Sequence, residues 1–123
     1  MANERILVVE DERPMANILG MKLKSQGFGV DIVFNGDEAL HAISDTDYDL
    51  ILLDLVMPKI DGFSFLEKIK SLHLNIPIVV ITNLSQEMDR KRALDLGATK
   101  YLIKTEVNLT DIINTAKSIL TTT

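Results

Sequence analysis

The sequence predicts an α/β protein in which five parallel strands form a doubly wound sheet with five helices. Short aliphatic runs begin near residues 6, 30, 50, 78 and 101. Each interval between these runs is long enough for one helix. Three of the runs contain no polar residue, as is typical of strands covered on both faces. Strands that alternate with helices imply right-handed crossovers and parallel pairing.

The first two strands are predicted at residues 6–9 and 28–34. Pro14 suits the first turn of the intervening helix, and Gly27 is expected to end it. Asp31 interrupts the second aliphatic run, which indicates a strand at the edge of the sheet. A polar turn then leads into the second helix.

The third strand is predicted at residues 50–53. It is followed by a loop through Pro58 and by a helix whose apolar residues recur about every 3.6 residues. Pro77 introduces the fourth strand at residues 78–81. These two strands and the first have continuous aliphatic sequence, so we expect all three in the middle of the sheet.

The last two helices and the strand between them are marked by cap residues. Ser85 is expected to cap the fourth helix and Gly97 to end it. The fifth strand is predicted at residues 101–103. Asn108 followed by Asp111 indicates an N-cap with an acid in the first turn of the fifth helix.

The expected strand order is 2-1-3-4-5, as in flavodoxin-like sheets. That order places the interrupted second strand and the short fifth strand at the two edges. We expect a single domain over residues 1–123, without a separate output domain.

Composition excludes several classes of function. The net charge of −5 has the wrong sign for a protein that grips nucleic acid through phosphates. Cysteine is absent, so neither disulfides nor zinc–thiolate sites can form. No apolar run is long enough to span a membrane, and the first residues do not resemble a signal peptide. We expect a cytoplasmic protein with no direct nucleic-acid or membrane contact.

Five polar residues follow the predicted strands and should meet at one rim of the sheet: Glu10, Asp11, Asp54, Thr82 and Lys104. Clustered carboxylates repel one another unless cations lie among them. Lys104 supplies one positive charge, and Mg²⁺, which prefers hard oxygen ligands, would supply the rest. This set predicts phosphoryl transfer to the Asp54 carboxylate.

The chain resembles the receiver domain of two-component response regulators over nearly its whole length. The resemblance rests on these motifs: Val8-Val9-Glu10-Asp11-Glu12, Leu52-Leu53-Asp54-Leu55-Val56-Met57-Pro58, Asp61-Gly62, Thr82, Gly97-Ala98 and Tyr101-Leu102-Ile103-Lys104. It implies phosphoacceptance at Asp54, Mg²⁺ ligation by Glu10, Asp11, Asp54 and the Val56 carbonyl, phosphoryl-oxygen binding by Thr82 and Lys104, and an inward-turning switch at Tyr101.

The resemblance also implies partners and a signalling role rather than an enzyme that turns over a substrate. The phosphoryl group would come from a histidine kinase or a phosphotransfer protein, and self-dephosphorylation would be slow. The signal would pass through the face made by the fourth helix, fifth strand and fifth helix to an unidentified output protein. The family also allows a phosphorylation-dependent homodimer.

The chain departs from the family pattern at four positions. Thr105 follows Lys104 in place of the usual proline, so we expect a trans peptide there and a different aim for Lys104. Asn83 replaces a small residue, which would narrow access for a donor. Val56 and Leu84 are apolar at positions that tune phosphate lifetime in the family.

Alternative interpretations remain open on the sequence alone. A receiver-like module that is never phosphorylated is compatible with Thr105. A magnesium phosphatase with an aspartate nucleophile, like those of the haloacid dehalogenase group, would need an acid where Val56 stands. A flavin carrier would need a phosphate loop that the acids Glu10, Asp11 and Glu12 disfavour. Tyr101 could equally be a half-buried edge residue with its hydroxyl in water.

Overall fold

A computed structural model describes residues 4–121 of the chain, so the predicted domain's residues 1–3 and 122–123 lie outside the described part. Ten elements alternate along the chain. In order they are β1 Arg5–Val9, α1 Arg13–Ser25, β2 Gly29–Val33, α2 Gly36–Asp45, β3 Leu50–Leu53, α3 Gly62–Ser71, β4 Ile78–Thr82, α4 Glu87–Asp95, β5 Lys100–Ile103 and α5 Leu109–Thr121.

The five strands form one parallel sheet in the order β2-β1-β3-β4-β5, which confirms the predicted fold class and strand order. Val9 pairs with Leu53 across β1 and β3, and Thr82 pairs with Ile103 across β4 and β5. The residues that follow each strand therefore emerge at one rim of the sheet. This register positions the candidate site.

Alternate residues of the central strands pack on opposite faces of the sheet, as the two-residue period of a strand requires. One layer lies against α2, α3 and α4 and contains Leu7, Val9, Ile51, Leu53 and Val80. The other lies against α1 and α5 and contains Ile6, Val8, Leu50, Leu52, Val79 and Ile81. Both faces are thus buried, which explains the uninterrupted aliphatic runs.

Helix ends follow the predicted chemistry at most positions. The Asn108 side chain accepts from the Asp111 backbone N–H at 2.8 Å, and the Asp111 carboxylate accepts from the Asn108 N–H at 2.9 Å. This reciprocal pair opens α5. Gly27 and Gly97 follow α1 and α4 with φ of 97° and 106°, in the left-handed region that favours glycine.

The predicted cap at Ser85 is wrong. Helix α4 begins at Glu87 behind Gln86, whose side chain makes no capping hydrogen bond. The preceding segment is instead held to β5, because the Tyr101 hydroxyl donates to the Leu84 carbonyl at 2.7 Å.

The edge strands differ from prediction by one residue. Strand β2 excludes Phe28 and Phe34. The Phe28 N–H donates back to α1, and that of Phe34 to the Glu38 carboxylate at 2.8 Å. Strand β5 begins one residue early, at Lys100.

Gly62 lets the start of α3 approach the loop that follows β3. A Cβ at this position would lie 2.5 Å from the Leu55 Cα and 2.8 Å from the Asp54 carbonyl oxygen. Only glycine fits this approach without moving the backbone beside Asp54. Among residues 4–121, no helix is long and apolar enough to cross a membrane.

Candidate functional site

Asp54 occupies the position directly after β3, where its backbone N–H donates to the Val9 carbonyl of β1 at 3.0 Å. Its side chain is 5% exposed, and Oδ1 accepts from the Val56 backbone N–H at 3.1 Å. The carboxylate lines a cleft of about 260 Å³. A buried charge of this kind needs a charged or hydrogen-bonding partner.

Lys104 supplies that partner from the end of β5. Its Nζ lies 3.0 Å from Asp54 Oδ2, 2.8 Å from Glu10 Oε1 and 2.6 Å from Glu12 Oε1. None of the peptide bonds between residues 4 and 121 is cis, so the 104–105 bond is trans, as expected from Thr105. The trans bond nevertheless leaves the ammonium within hydrogen-bonding distance of Asp54.

Burial and ion pairing oppose each other at this cluster. Burial raises the pKa of Glu10 from 4.5 to about 7, and the hydrogen bond from Lys104 offsets this only in part. Burial alone would lower the pKa of Lys104, but hydrogen bonds to Glu10, Glu12 and Asp54 outweigh burial and raise it. Lys104 therefore stays charged at neutral pH.

The acids that follow β1 are arranged differently from the prediction in one respect. Asp11 is exposed and lines the cleft. Among residues 4–121, the carboxylates of Glu10, Glu12 and Asp54 have oxygens that lie within 4.8 Å of one another. Glu12 was not among the residues predicted to meet at this rim, and its contact with Lys104 was missed. In an extended chain the side chains of residues two apart point to the same side, so the spacing of Glu10 and Glu12 could have indicated that both face the site.

The donor set suits a hard divalent cation. Asp11, Glu12 and Asp54 line the cleft, and Glu10 contacts the Lys104 ammonium beside it, so four carboxylates lie around one ammonium. Carboxylate oxygens are the ligands Mg²⁺ prefers, and magnesium sites in proteins commonly use one or two of them. The residues present therefore fit Mg²⁺.

Thr82 lies at the end of β4 and is fully buried. Its carbonyl accepts from the Lys104 backbone N–H at 2.8 Å, and its hydroxyl accepts from the Leu84 N–H at 3.4 Å. The neighbouring Asn83 is exposed and lines the cleft. Thr82 is thus adjacent to the site but does not line the cleft.

Tyr101 is half-buried on β5, and its hydroxyl donates to the Leu84 carbonyl rather than lying free in water. Burial, with smaller effects from the negative charges of Asp89 and Asp54, raises its pKa to about 12. The backbone of Leu84 is therefore bound from both sides, by Thr82 and by Tyr101.

Comparisons with known proteins agree with this geometry. Residues 6–117 match the family described as the response regulator receiver domain. Transcriptional regulatory protein DltR of Streptococcus agalactiae is 42% identical over 100 residues, which cover 81% of this chain and 45% of that protein. The chain spans less than half the length of the curated relatives it matches.

Solved structures give the same result. A two-component response regulator from Clostridium difficile superposes with a TM-score of 0.90 at 30% identity, covering 96% of each chain. Response regulator TrrA from Thermotoga maritima, solved in complex with Mg²⁺ and BeF, superposes with a TM-score of 0.83 at 30% identity, covering 95% of this chain and 99% of that one. The chain belongs to the receiver domain family of two-component response regulators.

Proposed function

We propose that this receiver domain accepts a phosphoryl group on Asp54. The observation that carries the proposal is the environment of its carboxylate, which is 5% exposed, lines an open cleft and lies 3.0 Å from the Lys104 ammonium. Burying an isolated carboxylate would cost folding free energy, and pairing it with an ammonium offsets that cost. At an open cleft the same ammonium can also stabilise the negative charge of an incoming phosphoryl group.

The chemical step is a displacement at phosphorus. A carboxylate oxygen of Asp54 forms a bond to phosphorus as the bond to the donor breaks. The donor keeps the electron pair of the broken bond, as imidazole from a phosphohistidine or as acetate from acetyl phosphate. Lys104 then moves its hydrogen bond from the Asp54 oxygen to a phosphoryl oxygen, where the negative charge has gone.

Mg²⁺ would be held by Glu10, Asp11, Asp54 and the Val56 backbone carbonyl. When bound, it would neutralise charge on the phosphoryl oxygens. The bound Mg²⁺ named for the Thermotoga relative supports this assignment. Of these residues, Glu10 and Asp54 contribute buried oxygens, while Asp11 and Val56 line the cleft.

We propose a protein as the physiological donor, either a histidine kinase or a phosphotransfer protein. A second cavity of about 360 Å³ adjoins the cleft, because Lys104 lines both, and its other walls are largely apolar. One wall is Ile18 of α1, which is 53% exposed, and Met21 on the same helix is 69% exposed. Exposed apolar surface beside a reactive cleft favours a macromolecular donor.

The response would pass through the segment between β4 and α4. Thr82 would turn its hydroxyl to a phosphoryl oxygen, which releases the Leu84 N–H. Tyr101, bound to the Leu84 carbonyl, would transmit that change to the face made by α4, β5 and α5. The same proposal includes an output protein that binds this face, a homodimer that forms on phosphorylation, and any regulation of transcription.

Intact-mass measurement with acetyl phosphate tests the proposal. With Mg²⁺, the wild-type chain should gain the mass of one phosphoryl group. Asp54→Asn, which keeps a hydrogen-bond acceptor for Lys104, should gain none, and EDTA should suppress labelling of the wild type. A variant that labels as fully as the wild type would contradict the assignment. Unlabelled wild-type protein would instead favour the module that is never phosphorylated.

The alternative of a magnesium phosphatase gains no support from the site. Val56 stands where the second acid would be needed, and its side chain is apolar and 54% exposed. A leaving group at this position would find no proton donor on Val56. We therefore propose a phosphoacceptor rather than an enzyme that turns over a phosphoester.

A further inference from the structure

Glu12 stands at the N-terminus of α1 but does not act as a helix cap. Its backbone is extended, with φ of −77° and ψ of 97°, and its side chain makes no capping hydrogen bond. Instead its Oε1 lies 2.6 Å from Lys104 Nζ, the shortest of that ammonium's three carboxylate contacts. The Glu12 side chain therefore contacts a residue 92 positions away in sequence instead of capping its own helix.

The Lys104 ammonium donates to Glu12 at 2.6 Å and to Asp54 at 3.0 Å, and it forms an ion pair with Glu10 at 2.8 Å. An ammonium has three hydrogens, so in this arrangement its contacts are all taken up by carboxylates. Glu10 and Asp54 are both 5% exposed, and their oxygens are those expected to ligate Mg²⁺. Glu12 is 58% exposed and is not needed by the predicted ligand set. It is therefore the carboxylate that can keep Lys104 when the metal takes the other two.

We propose that Glu12 is a positioning residue for Lys104, a role that rests on the proposed phosphoacceptor function. By holding one N–H of the ammonium, Glu12 keeps Lys104 at the cleft and leaves its other two hydrogens for phosphoryl oxygens. Without Glu12, the ammonium relies on Glu10 and Asp54 alone and competes more strongly with Mg²⁺ for their oxygens. Glu12 would also restrict the Lys104 side chain where Thr105 replaces proline.

Calorimetric titration with Mg²⁺ alone tests this role through a double-mutant cycle. Glu12→Gln keeps the shape of the side chain and removes its charge. We expect it to weaken Mg²⁺ binding about three- to ten-fold in the wild-type background and much less in Lys104→Met, where no ammonium competes. An equal loss of Mg²⁺ affinity in both backgrounds would mean that Glu12 binds the metal directly or attracts it through its negative charge alone. Either result would overturn the positioning role. So would unchanged or tighter binding in the single variant.

Glu106→Gln provides the matched control. Glu106 is exposed, lies two residues from Lys104 in sequence, and undergoes the same change of charge. We expect it to change Mg²⁺ affinity less than Glu12→Gln does. Equal effects from the two variants would show that net charge alone matters and would overturn the proposal.

NMR of the metal-free protein tests the contact itself and does not depend on Lys104→Met being folded. The ammonium protons of Lys104 should exchange slowly with water in wild-type protein and Glu106→Leu, and faster in Glu12→Leu, which removes the acceptor as well as the charge. Unchanged exchange in Glu12→Leu would refute the contact. The two proposals can fail separately. If Asp54 is not phosphorylated but the exchange difference and the double-mutant result are as expected, the proposed function is contradicted and the contact is supported.

Discussion

The stability of the metal-free protein should depend on pH because of Glu10. Its pKa is raised by burial from 4.5 to about 7, so the folded chain holds this proton more tightly than the unfolded chain does. The resulting stabilisation is fully present below about pH 4.5 and is lost as the pH rises through 7. The protein should therefore be more stable at pH 5.5 than at pH 8.

The magnitude follows from the two pKa values. Between the unfolded pKa of 4.5 and the folded pKa of about 7, each pH unit changes the free energy of unfolding by about 1.4 kcal/mol. Only the part of this interval above pH 5.5 contributes to the comparison. We expect a difference of about 2 kcal/mol between pH 5.5 and pH 8. The Lys104 pKa is raised, so its charge does not change in this interval.

Urea unfolding followed by far-UV circular dichroism, with EDTA present, measures this difference. Glu10→Gln is the matched control because it keeps the side-chain shape and cannot titrate. The variant should lose most of the pH dependence seen in wild-type protein. Equal unfolding free energies for the wild type at the two pH values, or the same dependence in the variant, would refute the reasoning.

Three further predictions concern the same rim of the sheet. Mg²⁺ affinity should rise about ten-fold from pH 6 to pH 8, because ligation requires the deprotonated Glu10, and calorimetry of Glu10→Gln should show little such rise. Tyr101→Phe removes the hydrogen bond to the Leu84 carbonyl and should cost about 1 kcal/mol in urea unfolding; no loss would mean that the bond adds nothing. Gly62→Ala should destabilise by about 1–3 kcal/mol through backbone overlap, whereas Ser64→Ala in the same helix should cost less. Similar losses in the two helix variants would contradict the overlap.

The strand order and the site's location could be predicted because both depend on simple periodicities. Aliphatic runs without polar residues identified β1, β3 and β4 as buried strands, and parallel strands place their carboxyl ends at one rim. The acid after β3 and the lysine after β5 were therefore expected at the same rim. The close contact of Lys104 with Asp54 agrees with that reasoning.

The side-chain contacts within the rim could not be predicted, because they depend on rotamers and on competition between partners. Glu12 was not predicted to belong to the site, yet its 2.6 Å contact to Lys104 is shorter than those of Glu10 and Asp54. Thr82 was expected to face the phosphoryl group, yet in this structure it is fully buried and holds the Leu84 N–H. The cap at Ser85 failed for a related reason, since the segment before α4 is fixed by Tyr101 rather than by its own helix.

Chemical trapping of the modified residue tests the account's central claim most directly. Wild-type protein treated with acetyl phosphate and Mg²⁺ is reduced with borohydride, which converts an aspartyl phosphate to homoserine, and is then digested and sequenced by mass spectrometry. Homoserine at position 54, absent when acetyl phosphate is omitted, is the predicted result. Homoserine at another acid, or an unmodified Asp54 in protein that has gained a phosphoryl group, would contradict the account.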